Sequence, residues 1–206
     1  MYHIVYNYQM KTETRGRPKT FDEAEALTAA MHYFWDNGYD NTSLDKLLET
    51  MNIKKSSFYA TFKSKEALFS RTLLLYRESM LVQLHQLNKE VGPKQTLLTL
   101  TRMTLNELKE SGKIKGCLLV NSGQECYQKY THLSEQIALE LNFFQEMFTN
   151  FVQEAQEKKE ILNPKNASMI AGRYMNTLNG LIVSIQAGIS DEQIENIVES
   201  LNEILA

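Results

Sequence analysis

Between positions 54 and 65 stand four lysines, Lys54, Lys55, Lys63 and Lys65, with no acid among them. Interleaved with them are the short or hydrogen-bonding side chains Ser56, Ser57, Tyr59, Ala60 and Thr61, and two phenylalanines, Phe58 and Phe62. Ammonium groups beside hydroxyls suit one chemistry in particular, the neutralisation of phosphodiester oxygens together with hydrogen bonding to base edges. Lys54 and Ser57 belong to the outward rim, Lys55 has the reach for guanine O6 and N7, and Ser56, Ala60 and Thr61 suit other base edges or a thymine methyl. Tyr59, Thr42, Ser43 and Lys65 suit phosphates, Lys65 because it opens a helix whose free N–H groups also favour an anion. Arg15 and Arg17, in the tract Arg15-Gly16-Arg17-Pro18, have the makeup of an arm that enters a minor groove. The plain alternative is a solvated face. Lysines around a short helix are commonly no more than that, and Tyr59 alone reads as a half-buried packing residue.

Such side chains need a rigid carrier. The pattern predicts a first helix that begins after Thr20, with Glu23 as its capping-box partner, and that ends at Gly38. Its apolar spacing runs through Ala26, Ala29, Ala30, Tyr33 and Phe34. Thr42 and Ser43 can cap a short helix, Leu44–Met51, whose inward stripe is Leu44, Leu47 and Leu48. Asn52 tolerates the left-handed backbone of a tight turn. A second short helix is expected from about Lys54 to Thr61, anchored by Ile53, Phe58 and Phe62. Ser64 then caps a long helix from Lys65 towards Val91. Two short helices joined by a turn, behind a packing helix, form a helix-turn-helix.

Gly92-Pro93 breaks the pattern, and further helical periods follow at about 94–110, 117–128, 132–158, 164–188 and 191–205. No strand alternation and no internal repeat interrupt them. The fold class expected is all-α: an N-terminal three-helix helix-turn-helix domain (residues 20–64) and a larger C-terminal helical domain for ligand binding and dimerisation (residues 65–206). Residues 1–19 read as a flexible arm, with Met10 an alternative start to Met1.

The run from Thr42-Ser43-Leu44 through Ile53-Lys54-Lys55-Ser56-Ser57-Phe58-Tyr59-Ala60-Thr61-Phe62-Lys63-Ser64-Lys65-Glu66-Ala67-Leu68 resembles the TetR/AcrR family of bacterial regulators. The family's Tyr-x-x-Phe-x-x-Lys element is present as Tyr59, Phe62 and Lys65, and Gly38-Tyr39 and the Thr42-Ser43 pair fall where the family places them. Lys115-Gly116-Cys117-Leu118-Leu119-Val120-Asn121 also looks like a segment found in part of the family. The chain departs from the pattern at Asn52, in place of a turn glycine, and at Asp45, where a basic residue is common. The resemblance implies a homodimeric transcriptional regulator, most commonly a repressor. Its partners would be a double-stranded, near-palindromic operator and a small-molecule inducer, with Tyr59 and Lys65 as phosphate contacts.

For the inducer, the middle helices offer large adaptable side chains: Phe69, Leu73, Tyr76, Met80, Met103, Phe143, Phe144 and Met147. Each of these equally suits a plain core. Cys117 is the candidate for a different signal, an oxidant or electrophile, because a helix start with Lys113 and Lys115 nearby lowers a thiol pKa. The same residue also fits a small buried hydrophobe. The apolar band Ile170, Tyr174, Leu178, Leu181, Ile182 and Ile185, with a second stripe from Ile194 to Leu205, is the expected dimer face, the alternative being the domain's own core.

Composition narrows the remaining classes. The net charge is −3, but the first 65 residues hold nine basic and eight acidic groups, leaving thirteen and seventeen for the rest, so the positive charge is local. Two cysteines suit a reducing compartment, and with no signal-peptide pattern and no apolar stretch of membrane-spanning length a cytoplasmic location is expected, with no membrane partner. His3, His32, His85 and His132 are scattered without ligand or triad spacing, and no glycine-rich phosphate loop occurs, so no enzyme activity, metal or cofactor is expected. The competing readings are a helical small-molecule-binding protein with a degenerate DNA-binding domain, and a helical scaffold. A scaffold gives no reason for the Lys54–Lys65 chemistry.

Overall fold

The computed structural model describes residues 21–206 apart from residue 113. The expected arm, with Arg15 and Arg17, lies outside the described residues. Helix α1 (Glu23–Asn37) is capped by Asp22, whose carboxylate accepts from the N–H groups of Ala24 and Glu25 at 2.8 and 3.1 Å. The cap is therefore Asp22 and not Thr20, because an aspartate directly before the helix satisfies two of its free N–H donors at once. Helix α2 (Leu44–Thr50) is capped by Ser43 as expected, and Asn52 adopts a left-handed φ of 51° in the turn that follows. Helix α3 (Lys55–Phe62) and the long α4 (Lys65–Val91), capped by Ser64, complete the N-terminal part.

The remaining described elements are α5 (Pro93–Ser111), α6 (Leu118–Cys126), α7 (Thr131–Glu157), α8 (Ala167–Gln186) and α9 (Asp191–Ile204), and the fold is all-α. Pro93 occupies the first turn of α5, where its missing N–H costs nothing, and Ser190 with Gln193 forms a capping box on α9.

Helices α4 and α7 run parallel with a constant register. Ser70 donates to Gln136, Arg77 stacks over Phe143 at 5.1 Å, and Asn88 donates to Glu154 at 3.0 Å, each pair 66 residues apart. The same offset continues beyond both helices, where the amide and ammonium of Lys94 reach Glu160. Helix α8 returns antiparallel along α7, its start tied by Gln145 to the Ser168 carbonyl and the segment leading into it by Gln156 to the Asn163 and Lys165 carbonyls. One continuous core runs from Ala26 and Phe34 through Phe69, Leu119 and Phe148 to Leu201. Tyr174 lies fully inside it, its hydroxyl donating to the Leu97 carbonyl at 2.6 Å with Thr101 also in reach, and burial pushes its phenol far above the ordinary range.

The apolar band of α8 turns out to serve this core. Ile170, Tyr174, Leu178, Leu181 and Ile182 are all buried against the chain's own helices, as is Leu201 of α9. What α8 presents outward is a different stripe, Met169, Arg173, Asn176, Gly180 and Val183, beside Ser200 and Glu203 of α9. Sequence periodicity identifies the apolar face of a helix, and here α7 had the prior claim on it.

Candidate nucleic-acid interface

The reading head is built on two buried rings. Phe58 and Phe62 are sealed behind α3 with centroids 5.8 Å apart, and Phe21 joins Phe62 at 6.5 Å. With that face fixed inward, the rest of α3 has to face out. Lys54, Lys55, Ser56 and Ala60 are exposed, Ser57 and Thr61 are half-buried, and Tyr59 is 46% exposed with its ring edge against Phe58. A convex, short-chained, cationic surface results, which is the shape a major groove accepts.

Two of the expected phosphate ligands are committed elsewhere. Thr42 is only 1% exposed and donates its hydroxyl to the Gly38 carbonyl at 2.6 Å, so it braces the α1–α2 loop and has no free donor on the surface. Lys65 is half-buried with its ammonium 4.3 Å from the Tyr39 ring centre, and burial lowers its pKa. Ser43 is exposed, but its oxygen caps α2 by accepting from the Lys46 amide.

The head packs on α4, with Arg71 on Glu23 at 2.6 Å and the Phe34 and Phe69 rings 4.7 Å apart, and two further ties join it to the region of α6. At the far end of α1, Trp35 donates its indole N–H to the Gly116 carbonyl at 3.1 Å, and Lys115 pairs with Asp36 at 2.6 Å. At the loop into α2, both carboxylate oxygens of Glu125 accept backbone N–H groups, from Tyr39 and from Asp40, each at 2.7 Å. Asp40 in turn accepts from the Lys129 ammonium at 2.8 Å and the Tyr130 hydroxyl at 2.5 Å, which hold its carboxyl below the ordinary range. Gly38 has φ 78°, and a Cβ there would stand 3.0 Å from both Glu125 oxygens, so the glycine serves the close approach as well as the turn. None of Trp35, Asp40, Glu125 or Gly116 was legible as a site residue. The one usable signal was Gly38-Tyr39, which marks the loop but not what grips it.

The expected pocket residues divide. Phe69, Leu73, Tyr76 and Phe144 are core, and Met103 is 52% exposed on the outer side of α5, so it cannot line an interior pocket. A half-open recess of about 290 Å³ does lie between α4 and α7, lined by Leu81, His85, Phe143, Glu146, Met147, Asn150 and Phe151. It uses Phe143 and Met147 of the expected set, with Met80 only half-buried beside the core. Among the described residues no group of His, Cys, Asp and Glu is arranged to hold a metal ion.

Cys117 does not have the depressed pKa expected of it. It stands at the N-cap of α6, and the Val120 and Leu119 amides with the Tyr76 hydroxyl do favour its thiolate. Burial outweighs them and pushes the thiol above its ordinary value. Burial likewise raises Cys126, to about 11. At neutral pH the fraction of Cys117 present as thiolate is therefore smaller than for a free cysteine. Iodoacetamide labelling of the folded protein, read by peptide mass spectrometry, is expected to lag a free thiol at pH 7 and to accelerate only above the ordinary thiol value of 9.0. Labelling of Cys117 as fast as that of a free thiol at pH 7 would restore the reactive-thiol reading.

A small trihelical head with an exposed cationic third helix, seated on a larger helical body, defines the class of two-domain helix-turn-helix regulators. Residues 26–72 match the model of bacterial regulatory proteins of the tetR family. The match to the transcriptional repressor ComR of Escherichia coli is 46% identical over 68 residues, 33% of this chain and 32% of ComR, so it spans about a third of that relative's length. The reduced form of E. coli NemR superposes with a TM-score of 0.79 at 21% identity, covering 89% of this chain and 96% of NemR. A cysteine mutant of the TetR-family regulator CifR, in complex with a 26-bp operator, superposes at 0.74 with 24% identity, covering 92% of this chain and 98% of CifR.

Proposed function

We propose that this chain is a sequence-specific DNA-binding repressor that acts as a homodimer by binding and not by turnover. The observation that carries the reading is the α3 surface, with Lys54, Lys55, Ser56, Tyr59 and Ala60 outward over the buried Phe58 and Phe62. The operator complex of CifR, a protein of the same fold, supports DNA as the partner. Lys54, Lys55 and Tyr59 take phosphates or guanine edges, and Ser56, Ser57, Ala60 and Thr61 face the bases, with Ser43 at the backbone and Arg15 and Arg17 as minor-groove candidates. Lys65 contributes through the Tyr39 stack and the start of α4.

One head makes too few contacts for tight specific binding, so two are expected about one turn of DNA apart on a near-palindromic site. The outward stripe of α8 with α9 is the dimer face in this reading. A small molecule lodged in the α4–α7 recess weakens operator binding to the extent that it prefers the released arrangement of the heads. The site of action is the cytoplasm, where the operator lies.

The test is selection of duplex DNA from a random pool, followed by fluorescence anisotropy on the selected site across a salt series. Expected are a symmetric selected sequence and an affinity that falls by about 10³-fold or more between 50 and 200 mM salt. Weak, salt-independent binding with no selected motif would sink the reading in favour of a ligand-binding protein that has lost its DNA function.

A further inference from the structure

The head and the body exchange carboxylates at the loop that leads into α2. Glu125, near the C-terminal end of α6, reaches out of the body and spends both oxygens on two successive loop amides, Tyr39 and Asp40. Asp40 reaches the other way, to Lys129 and Tyr130 on the segment following α6. The aromatic floor is shared too, since the Tyr39 ring meets Tyr130 edge-on at 5.0 Å and lies under the Lys65 ammonium of α4. Two residues further on, Thr42 closes back onto Gly38 and Ser43 caps α2, so the backbone gripped by Glu125 leads directly into the helix-turn-helix.

We propose that Glu125 is a positioning residue for DNA recognition: its two-amide grip sets the angle of the reading head on the body and, in the dimer, the spacing between half-sites that the protein accepts. This rests on the DNA-binding reading above. Charge-assisted hydrogen bonds to backbone N–H are short and directional, and a carboxylate with both oxygens engaged resists rotation about either bond. Glutamine at this position keeps one acceptor and turns an NH2 group towards the second amide, so one N–H loses its partner and the loop gains a hinge. The Trp35–Gly116 and Lys115–Asp36 contacts remain at the other end of α6. The head then stays attached but pivots.

A pivot and a general loss of stability give different readouts. The operator selected by the wild-type protein is compared with versions carrying one base pair more or fewer between half-sites, each change turning one half-site by about 34°. Anisotropy is read for wild type, Glu125→Gln, Lys129→Gln and, as a control, Glu160→Gln, which removes the charge from the side chain that accepts the Lys94 amide at the far end of the body. Wild type and Glu160→Gln are expected to prefer the selected spacing by about 100-fold, and Glu125→Gln by under about 10-fold, with its helical content unchanged by circular dichroism. Lys129→Gln removes an exposed arm of the same joint and is expected to relax the preference two- to fivefold, in the range of exposed ion pairs. It carries the test if Glu125→Gln does not fold. A folded Glu125→Gln that keeps the wild-type spacing preference, whether its overall affinity is full or uniformly weakened, overturns the assignment alone, as does an unchanged preference in Lys129→Gln where that variant stands in for it. Absence of salt-sensitive DNA binding by the wild-type protein overturns the functional reading and this assignment together.

Discussion

Phe58→Ala is expected to cost the protein about 3–5 kcal/mol and all measurable operator binding. Phe58 has no exposed surface and packs against Phe62 and the Tyr59 ring, so truncation leaves a void behind the very helix that carries the cationic rim. Against a total stability of about 5–15 kcal/mol, that loss is a large share. The melting temperature should fall by roughly 10 °C, as expected for a chain near 200 residues, and anisotropy on the selected site should show no binding at temperatures where α7 and α8 are still helical. A melting temperature within about 2 °C of wild type would mean that the ring does not anchor α3.

The double variant Lys54→Ala/Lys55→Ala separates chemistry from folding. Both lysines are exposed, and neither is engaged by another group among the described residues, so stability should change by under about 0.5 kcal/mol. Binding to the operator should weaken strongly at low salt, and the slope of log affinity against log salt should become shallower by about 0.9 per lost phosphate contact. With two lysines on each of two protomers the expected change is about 3 to 4 in slope. A parallel slope with reduced affinity would mean that these lysines read bases instead of phosphates, and an unchanged affinity would move the interface away from α3.

The two variants bracket the logic of the head. Phe58 holds the surface in place and Lys54 with Lys55 gives it charge, yet the angle at which it is presented depends on neither. That angle is set where the head meets the two ends of α6, through Glu125 and Asp40 at one end and Trp35 and Lys115 at the other, and there no residue type or spacing had pointed to an interaction.

What could be read without coordinates was local or periodic. Gly38, Ser43, Asn52, Ser64 and Gly92 all mark helix ends through their own backbone and capping preferences, and each ends or starts a helix as expected. Phe58 and Phe62 at i and i+4 had to share a face, which placed the lysines opposite. Thr42 is buried by a local closure of the loop on Gly38, four residues back. The other misassignments originate in partners distant in sequence: Met103 is exposed because α4 and α7 pack against the other side of α5. The α8 band faces inward because α7 covers it, and burial raises the Cys117 thiol despite its place at a helix start.

The amino-acid order alone thus determined the helices, their ends, the face that α3 turns to the outside and the chemistry on that face, because these follow from i, i+4 neighbours and from single-residue backbone preferences. Only the tertiary structure decided which apolar stripe became core, which thiol and ammonium were desolvated, and how the head is latched to the body. Those outcomes depend on contacts between residues from 26 to 90 positions apart, such as Lys65 with Tyr39 and Asp40 with Tyr130, and no local pattern encodes which distant group will arrive.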